Sequence, residues 1–435
     1  MQWISTRGQS PPVPFIDALF AGTAPDGGLY VPERIEPLPA ATLAALRGAS
    51  LVDIASVVGG HLLRGEIAQA DLDGLVRDAL DFPVPLVQVT DRVWALELFH
   101  GPTFAFKDVG ARVQARLLHH FTDGTPLTIL VATSGDTGSA VAQSFHGVPD
   151  TRVVVLYPEG QVTDVQEAQM ASLGGNITAV AVRGTFDDCQ RFVKQAFADD
   201  ELRTHVWLTP ANSINLGRLL PQVFYYFLLL GLPPTDAGRH DDEGPIVSVP
   251  SGNFGNLTAG LMAKRLGLPV RRFVAATNVN DVVPEYLRSG RYAPRASVRT
   301  VANAMDVGAP SNFERIRWLY GDDLAAIRRD VAGAVFDDAT VLAEIRNVHL
   351  RHGYLLDPHG AIAWLGLQQA LAAGRPEDRG VFLATAHPAK FREHVNPAIG
   401  GTVDLPAALV DALTRPRHSV AMPASYDALR ALLLL

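Results

Sequence analysis

The sequence predicts an α/β chain: parallel sheet wrapped by helices, with a mostly helical unit ahead of it and a helical tail behind. Three observations carry this. From about Pro85 to Thr385, short β-rich runs alternate with amphipathic or apolar helical stretches. Two of those runs lead straight into glycine-bearing loops that open helices, as strand ends do in parallel sheets. Of the 435 residues, 48% are apolar and 19% charged, which describes a globular chain with more than one packed unit.

Taken in order, residues 1–82 form the first unit, in which Leu43–Leu80 has helical spacing and no alternating strands. Residues 83–390 hold the β-rich runs Leu127–Thr133, Arg152–Leu156, Ile177–Val182, Ile246–Val249, Arg272–Ala276 and Val381–Thr385. Helical stretches between them include Gly110–Phe121, Ser139–Phe145, Leu219–Leu230 and Leu257–Leu266. Leu232–Gly244, with two prolines and the charged group His240–Glu243, reads as a surface loop before a strand. Residues 391–435 are punctuated by proline and read as a helical tail whose final leucines must pack on something.

Composition excludes several functions. A net charge of −8 argues against a general nucleic-acid binder, which needs a basic field, but leaves room for a small anionic substrate. The longest uncharged apolar run, Val223–Leu232, has ten residues where a membrane span needs about 20. Met1–Ser10 shows no apolar signal segment. The single cysteine, Cys189, allows neither an internal disulfide nor a closed thiolate metal site; it reads as a small buried residue in a reduced, cytoplasmic setting. No metal-ligand spacing is present. His100, His359 and His387 lie at turns and read as turn histidines with satisfied ring nitrogens.

Four motifs could carry chemistry. In Phe99–Asp108, Lys107 follows an aromatic, apolar run and precedes a helix; both disfavour its ammonium form and leave a nucleophilic amine. Its bland alternative is a lysine whose stem packs on Phe104 or Phe106 while its head reaches water. Thr133–Gly138 follows a strand and opens a helix, so its backbone N–H groups form an anion site, unless Asp136 or Thr137 merely caps the helix. Pro250–Asn256 repeats the arrangement, and is expected on the same sheet, without the ending of a nucleotide P-loop. In Asn212–Arg218, Asn215 and Arg218 are three apart and would share a helical face, or simply form a solvated helix start.

These motifs, together with Ser5–Gly8, Ala24–Tyr30, Ala276–Asp281, Asn303–Asp306 and Thr385–Phe391 in the same order, resemble the threonine synthase family of the short bacterial and fungal type. The resemblance spans nearly the whole chain. It implies a fold-type II pyridoxal 5'-phosphate enzyme with a two-lobed catalytic domain. The implied reaction is that of a lyase of amino-acid biosynthesis, converting O-phospho-L-homoserine and water to L-threonine and phosphate by γ-elimination and β-addition of water. It makes Lys107 the Schiff-base lysine, gives the cofactor phosphate to Gly252, Asn253, Phe254, Gly255 and Asn256, and sets Thr385 at the pyridine nitrogen. Asn256 stands where the family often has aspartate. For the substrate, Ser134, Asp136 and Thr137 are the candidates at the α-carboxylate, and Arg112, Asn215 and Arg218 at the phosphate, since arginine offers charge-assisted bonds to a dianion. A closing lobe is expected to keep water out until the intermediate exists.

Overall fold

The computed structural model describes residues 1–233 and 243–435. Thirteen strands are present among them: β1 (Trp3–Ser5), β2 (Tyr30–Pro32), β3 (Leu86–Thr90), β4 (Val93–Glu97), β5 (Leu127–Ala132), β6 (Thr151–Pro158), β7 (Ile177–Arg183), β8 (Leu208–Pro210), β9 (Ile246–Pro250), β10 (Arg272–Thr277), β11 (Val331–Val335), β12 (Gly380–Ala384) and β13 (Ser419–Pro423). All six expected runs are strands. They are buried along nearly their whole length, so each reads as a continuous apolar run, as expected of parallel strands covered on both faces.

The strands do not form one sheet. A six-stranded sheet has the order β11-β10-β9-β12-β4-β3, parallel except for the β3–β4 pair, and a five-stranded parallel sheet has the order β13-β7-β6-β5-β8. The two glycine loops therefore leave different sheets: Thr133–Gly138 follows β5 and Pro250–Asn256 follows β9. This corrects the expectation of two cradles on one sheet. Strand partnership is decided by contacts distant in sequence, which local alternation does not report.

The first unit carries the expected helices, Leu51–Leu62 and Gln69–Ala79, and adds the small antiparallel pair β1–β2. Arg315, fully buried, ties this unit down by donating to the carbonyls of Tyr30 (2.9 and 3.0 Å) and Ile214 (2.6 Å). The stretch read as one helix over Leu219–Leu230 is broken into Leu216–Leu219, Pro221–Tyr226 and a 3-10 turn at Phe227–Gly231, since Pro221 has no N–H to continue a helical ladder. The tail is not wholly helical. Between the helices Ala407–Thr414 and Tyr426–Leu433, β13 pairs in parallel with β7 and covers an edge that would otherwise be open. Leu433 of the final leucine run packs with Leu429, Phe192 and Leu202, as that run required. Cys189 is buried in the same cluster, and burial pushes its thiol up to about 12. Of the expected Leu232–Gly244 loop, residues 234–242 lie outside the described residues. No helix among the described residues is long and apolar enough to cross a membrane.

Candidate active site

Lys107 is the first residue of the helix Lys107–Phe121. The chain reaches it through a short antiparallel ladder: Phe106 N–H donates to the Thr385 carbonyl (2.8 Å), Ala105 bridges Ala386, and His387 N–H donates to the Phe104 carbonyl (3.0 Å). Lys107 is thereby fixed beside Thr385, the residue that follows β12. Asp108, buried behind it, accepts from the Thr103 N–H (2.9 Å) and hydroxyl (2.6 Å) and holds the loop closed. Gly101 is needed here, because an added Cβ would lie 2.5 Å from an Asp108 carboxylate oxygen. Phe104 has φ of 57°, a left-handed conformation an aromatic residue adopts only under constraint.

The Pro250–Asn256 loop presents five consecutive backbone N–H groups, Gly252 to Asn256, that find no acceptor among the described residues. They sit at the start of the helix Gly255–Arg265, where the helix dipole also favours an anion. The loop is held from outside. Asn253 donates to Ser213 Oγ (2.5 Å) and accepts from the Ser311 N–H (2.6 Å); Asn256 donates to the Pro250 carbonyl (2.8 Å). These two amides shape the cradle with their side chains rather than lining it. Phe254 has φ of 62°, and a Cβ on Gly252 would lie 2.7 Å from the Ala304 carbonyl oxygen. A loop so built fits a phosphate group.

Across from it, the Thr133 hydroxyl accepts from the Gly135 (2.9 Å) and Gly138 (2.8 Å) N–H groups and turns them inward. The N–H groups of Ser134, Asp136 and Thr137 are left without an acceptor among the described residues. The Asp136 side chain is committed elsewhere: it accepts from Lys390 Nζ (2.7 Å) and Gln166 Nε2 (3.1 Å), so only its backbone remains for a carboxylate. Lys390 also donates to the Thr103 carbonyl (2.8 Å). Burial pushes Asp136 up, but the charges of Lys390 and Lys107 more than reverse this and hold it well below the usual carboxylate range. Burial pushes Lys107 down to about 8; Asp136 pulls it back, while Lys390 and Arg218 push it further down.

Two expected phosphate contacts are corrected. Arg112 is five residues past Lys107, about 140° around the helix at 3.6 residues per turn, and so faces away from it. Its guanidinium donates to the carbonyls of Ala79 (2.6 Å) and Asp78 (2.9 Å) and to Asp81 (2.8 Å). Asn215 is the cap of the helix Leu216–Leu219; its amide donates to the carbonyls of Leu19 (2.7 Å) and Pro210 (2.9 Å) and accepts from Gly217 (2.8 Å), so no N–H of its side chain is left for a phosphate. Arg218 differs: Nη1 donates to the Ala211 carbonyl (2.6 Å), but Nε is buried without a partner among the described residues. Sequence reasoning missed Lys390 and Gln166. The signal for Lys390 was a lysine inside an apolar, histidine-bearing motif, Ala386–Phe391. It also misread His359. Its Nδ1 is 2.6 Å from Asp357, but its Nε2 is buried with no partner among the described residues. No group of acidic, histidine or cysteine side chains that could hold a metal occurs among the described residues.

Three family models match the chain: "Threonine synthase N terminus" over residues 2–80, "Pyridoxal-phosphate dependent enzyme" over residues 81–386, and "Threonine synthase, C-terminal" over residues 361–433. The chain is 45% identical over 425 residues to the threonine synthase of Haemophilus influenzae, covering 97% of each protein. Among solved structures, the threonine synthase of Escherichia coli is similar with a TM-score of 0.92 at 42% identity, covering 100% of this chain and 99% of that one. A structure described as pyridoxal-phosphate-bound threonine synthase from Brucella melitensis gives a TM-score of 0.93 at 38% identity, with the same coverage.

Proposed function

Since the chain belongs to the threonine synthase family of pyridoxal-phosphate-dependent enzymes, we propose how its own residues carry out that family's reaction. The enzyme is a lyase that turns O-phospho-L-homoserine and water into L-threonine and phosphate, the last step of threonine biosynthesis. Lys107 would hold the cofactor through its amine. The N–H groups of Gly252–Asn256 would hold the cofactor phosphate, and the Thr385 hydroxyl would meet the ring nitrogen. What pyridoxal phosphate supplies when bound is an electron sink for charge developing at the substrate's α- and β-carbons.

The remaining steps fall to side chains and amides of the chain. The N–H groups of Ser134, Asp136 and Thr137 orient the substrate carboxylate. Lys390 cancels the Asp136 charge, which would otherwise repel that carboxylate. The freed Lys107 Nζ takes the proton from the α-carbon and then from the β-carbon; a lysine lowered to about 8 carries enough neutral amine near neutral pH to do so. Arg218 is the retained candidate for the departing phosphate. The same reading sets the reaction in the cytoplasm, in keeping with a single, buried cysteine.

The observation that carries this reading is the row of acceptor-free amides at Gly252–Asn256 on the sheet whose adjoining strand leads to Thr385 and the Lys107 ladder. The test is phosphate release from O-phosphohomoserine, run beside Lys107→Ala. The wild-type protein should release phosphate and form threonine in equal amounts, and the variant should do neither. A Gly255→Val protein that folds should retain cofactor far less well. Full activity in Lys107→Ala, or unchanged cofactor retention in Gly255→Val, would refute these assignments.

A further inference from the structure

The segment that holds the Pro250–Asn256 loop from outside carries a charge without a matching partner. That segment, Ser311–Arg315, leads into the helix Phe313–Leu319 and meets the loop at three residues. Ser311 N–H donates to Asn253 Oδ1 (2.6 Å), and Asn312 N–H donates to the Asn253 carbonyl (3.3 Å). The Phe313 ring meets the Phe254 ring edge-on at 6.2 Å. A Cβ on Gly255 would lie 3.3 Å from Asn312 Nδ2, so the Asn312 amide rests directly against the cradle. That amide is fully buried and donates to the Ser213 carbonyl (3.2 Å). Its oxygen accepts from Arg315 Nη1 (2.6 Å).

Arg315 is itself fully buried. Its bonds to Tyr30, Ile214 and Asn312 use four of its five N–H groups, and every acceptor is an uncharged oxygen. The neighbouring carboxylate, Glu314, acts on it only through its charge and is taken up by the Thr6 hydroxyl (2.5 Å) and Arg7 Nε (3.3 Å). Burial pushes the guanidinium down to about 9, so it stays charged at neutral pH. Taking an ion out of water is costly, and buried charges are ordinarily paired. A neutral residue could tie Tyr30, Ile214 and Asn312 together without that cost. The charge therefore calls for an anion in the assembled protein. One side chain away, across Asn312, lies the Gly252–Asn256 row of open amides. Pro250–Asn256 contains no lysine, arginine or histidine, and backbone N–H groups at a helix start supply only partial charge.

Resting on the functional reading above, we propose that Arg315 is a positioning residue for the cofactor phosphate. Its buried charge, passed through the Asn312 amide, is the counter-charge that the cradle itself lacks. Two effects act together. The guanidinium polarises the amide that braces Ser213 and Gly255, which strengthens Nδ2 as a donor. Its full charge also lowers the energy of a dianion across a dry, weakly screening layer of protein. The motif Ala24–Tyr30 gains a role by the same geometry, since the Tyr30 carbonyl fixes the fork that aims Nη1 at Asn312.

The test compares pyridoxal 5'-phosphate with pyridoxal, which lacks the phosphate, as ligands of the full chain after cofactor removal, each followed by absorbance titration. Wild-type protein should strongly prefer the phosphorylated form. Arg315→Gln keeps an amide donor and loses the charge. It should weaken pyridoxal 5'-phosphate roughly 10- to 100-fold, the order expected of one charge acting on a dianion across one side chain, and leave pyridoxal nearly unchanged. Arg315→Lys keeps the charge without the fork and should recover most of that loss. Asn312→Asp keeps the bond to Arg315 but cancels its charge with a carboxylate, and should lose the phosphorylated form selectively. If Arg315→Gln does not fold, Asn312→Asp decides. A residue acting only through structure would weaken both ligands together or make Arg315→Lys no better than Arg315→Gln. Either result, or a preference unchanged in the charge-cancelling variants, overturns the proposal. If wild-type protein binds the two ligands equally well, the reading of Gly252–Asn256 as a phosphate cradle fails, and it does so before any variant is made.

Discussion

At Lys107, burial and three neighbouring charges act on one amine: Asp136 favours its charged form, and Lys390 and Arg218 disfavour it. The sign gives a direct test. The neutral amine is the reactive form, so in cofactor-free protein the labelling of Lys107 by trinitrobenzenesulfonate should rise as pH passes through about 8, well below the ordinary 10.5. Lys390→Met should move that rise upward, because a charge that pushes Lys107 down is gone while Asp136 remains. The same substitution strands a buried carboxylate and should lower stability by about 3–5 kcal/mol in urea unfolding. Arg112→Ala should leave KM and kcat at wild-type values, whereas Arg218→Ala should lose specificity for phosphohomoserine by roughly 30- to 1000-fold, as loss of a desolvated charged contact would. Equal behaviour of the two variants would remove Arg218 from the site. Lys107 was legible in sequence because its aromatic, apolar approach is a local property. Lys390 was not, since its partner Asp136 lies far away in the chain.

At the level of elements, six of the thirteen strands were legible and their partners were not. β5, β6, β9, β10 and β12 are mostly apolar, a pattern visible without any structure. β13 was missed because four of its five residues are exposed, which leaves no apolar alternation to detect. Arg112 was misassigned because shared helix membership was taken for a shared face. The tail's contribution can be measured at Leu429, which is fully buried. Leu429→Ala should cost about 2–5 kcal/mol, with the spread set by how far Phe192 and Leu433 collapse into the space. Wild-type stability in that variant would mean that the last helix does not anchor β13 to β7.

For the molecule as a whole, two buried carboxyls bend the pH dependence of stability. Burial pushes Asp108 and Asp306 up to about 6 from 3.8. Between these values the folded chain holds protons that the unfolded chain has released, so this contribution is full below about 3.8 and is lost as pH rises through 6. Replacing Asp306 with Asn should therefore flatten the stability profile between those limits, and an unchanged slope would argue against the raised value. A different consequence follows from β12. It lies between β9 and β4, so until Gly380–Ala384 has been made, the six-stranded sheet exists only as two separate pieces, β3-β4 and β9-β10-β11. The residues that pair with the Lys107 approach, Thr385 to His387, come still later, and β13 later again. On the ribosome, then, the lysine emerges long before the neighbours that make it reactive, and assembly of the site waits on translation of the chain from Gly380 onward. A nascent chain stalled before Gly380 should stay open to protease and take up no cofactor. One stalled far enough beyond Leu433 to clear the exit tunnel should gain both protection and colour.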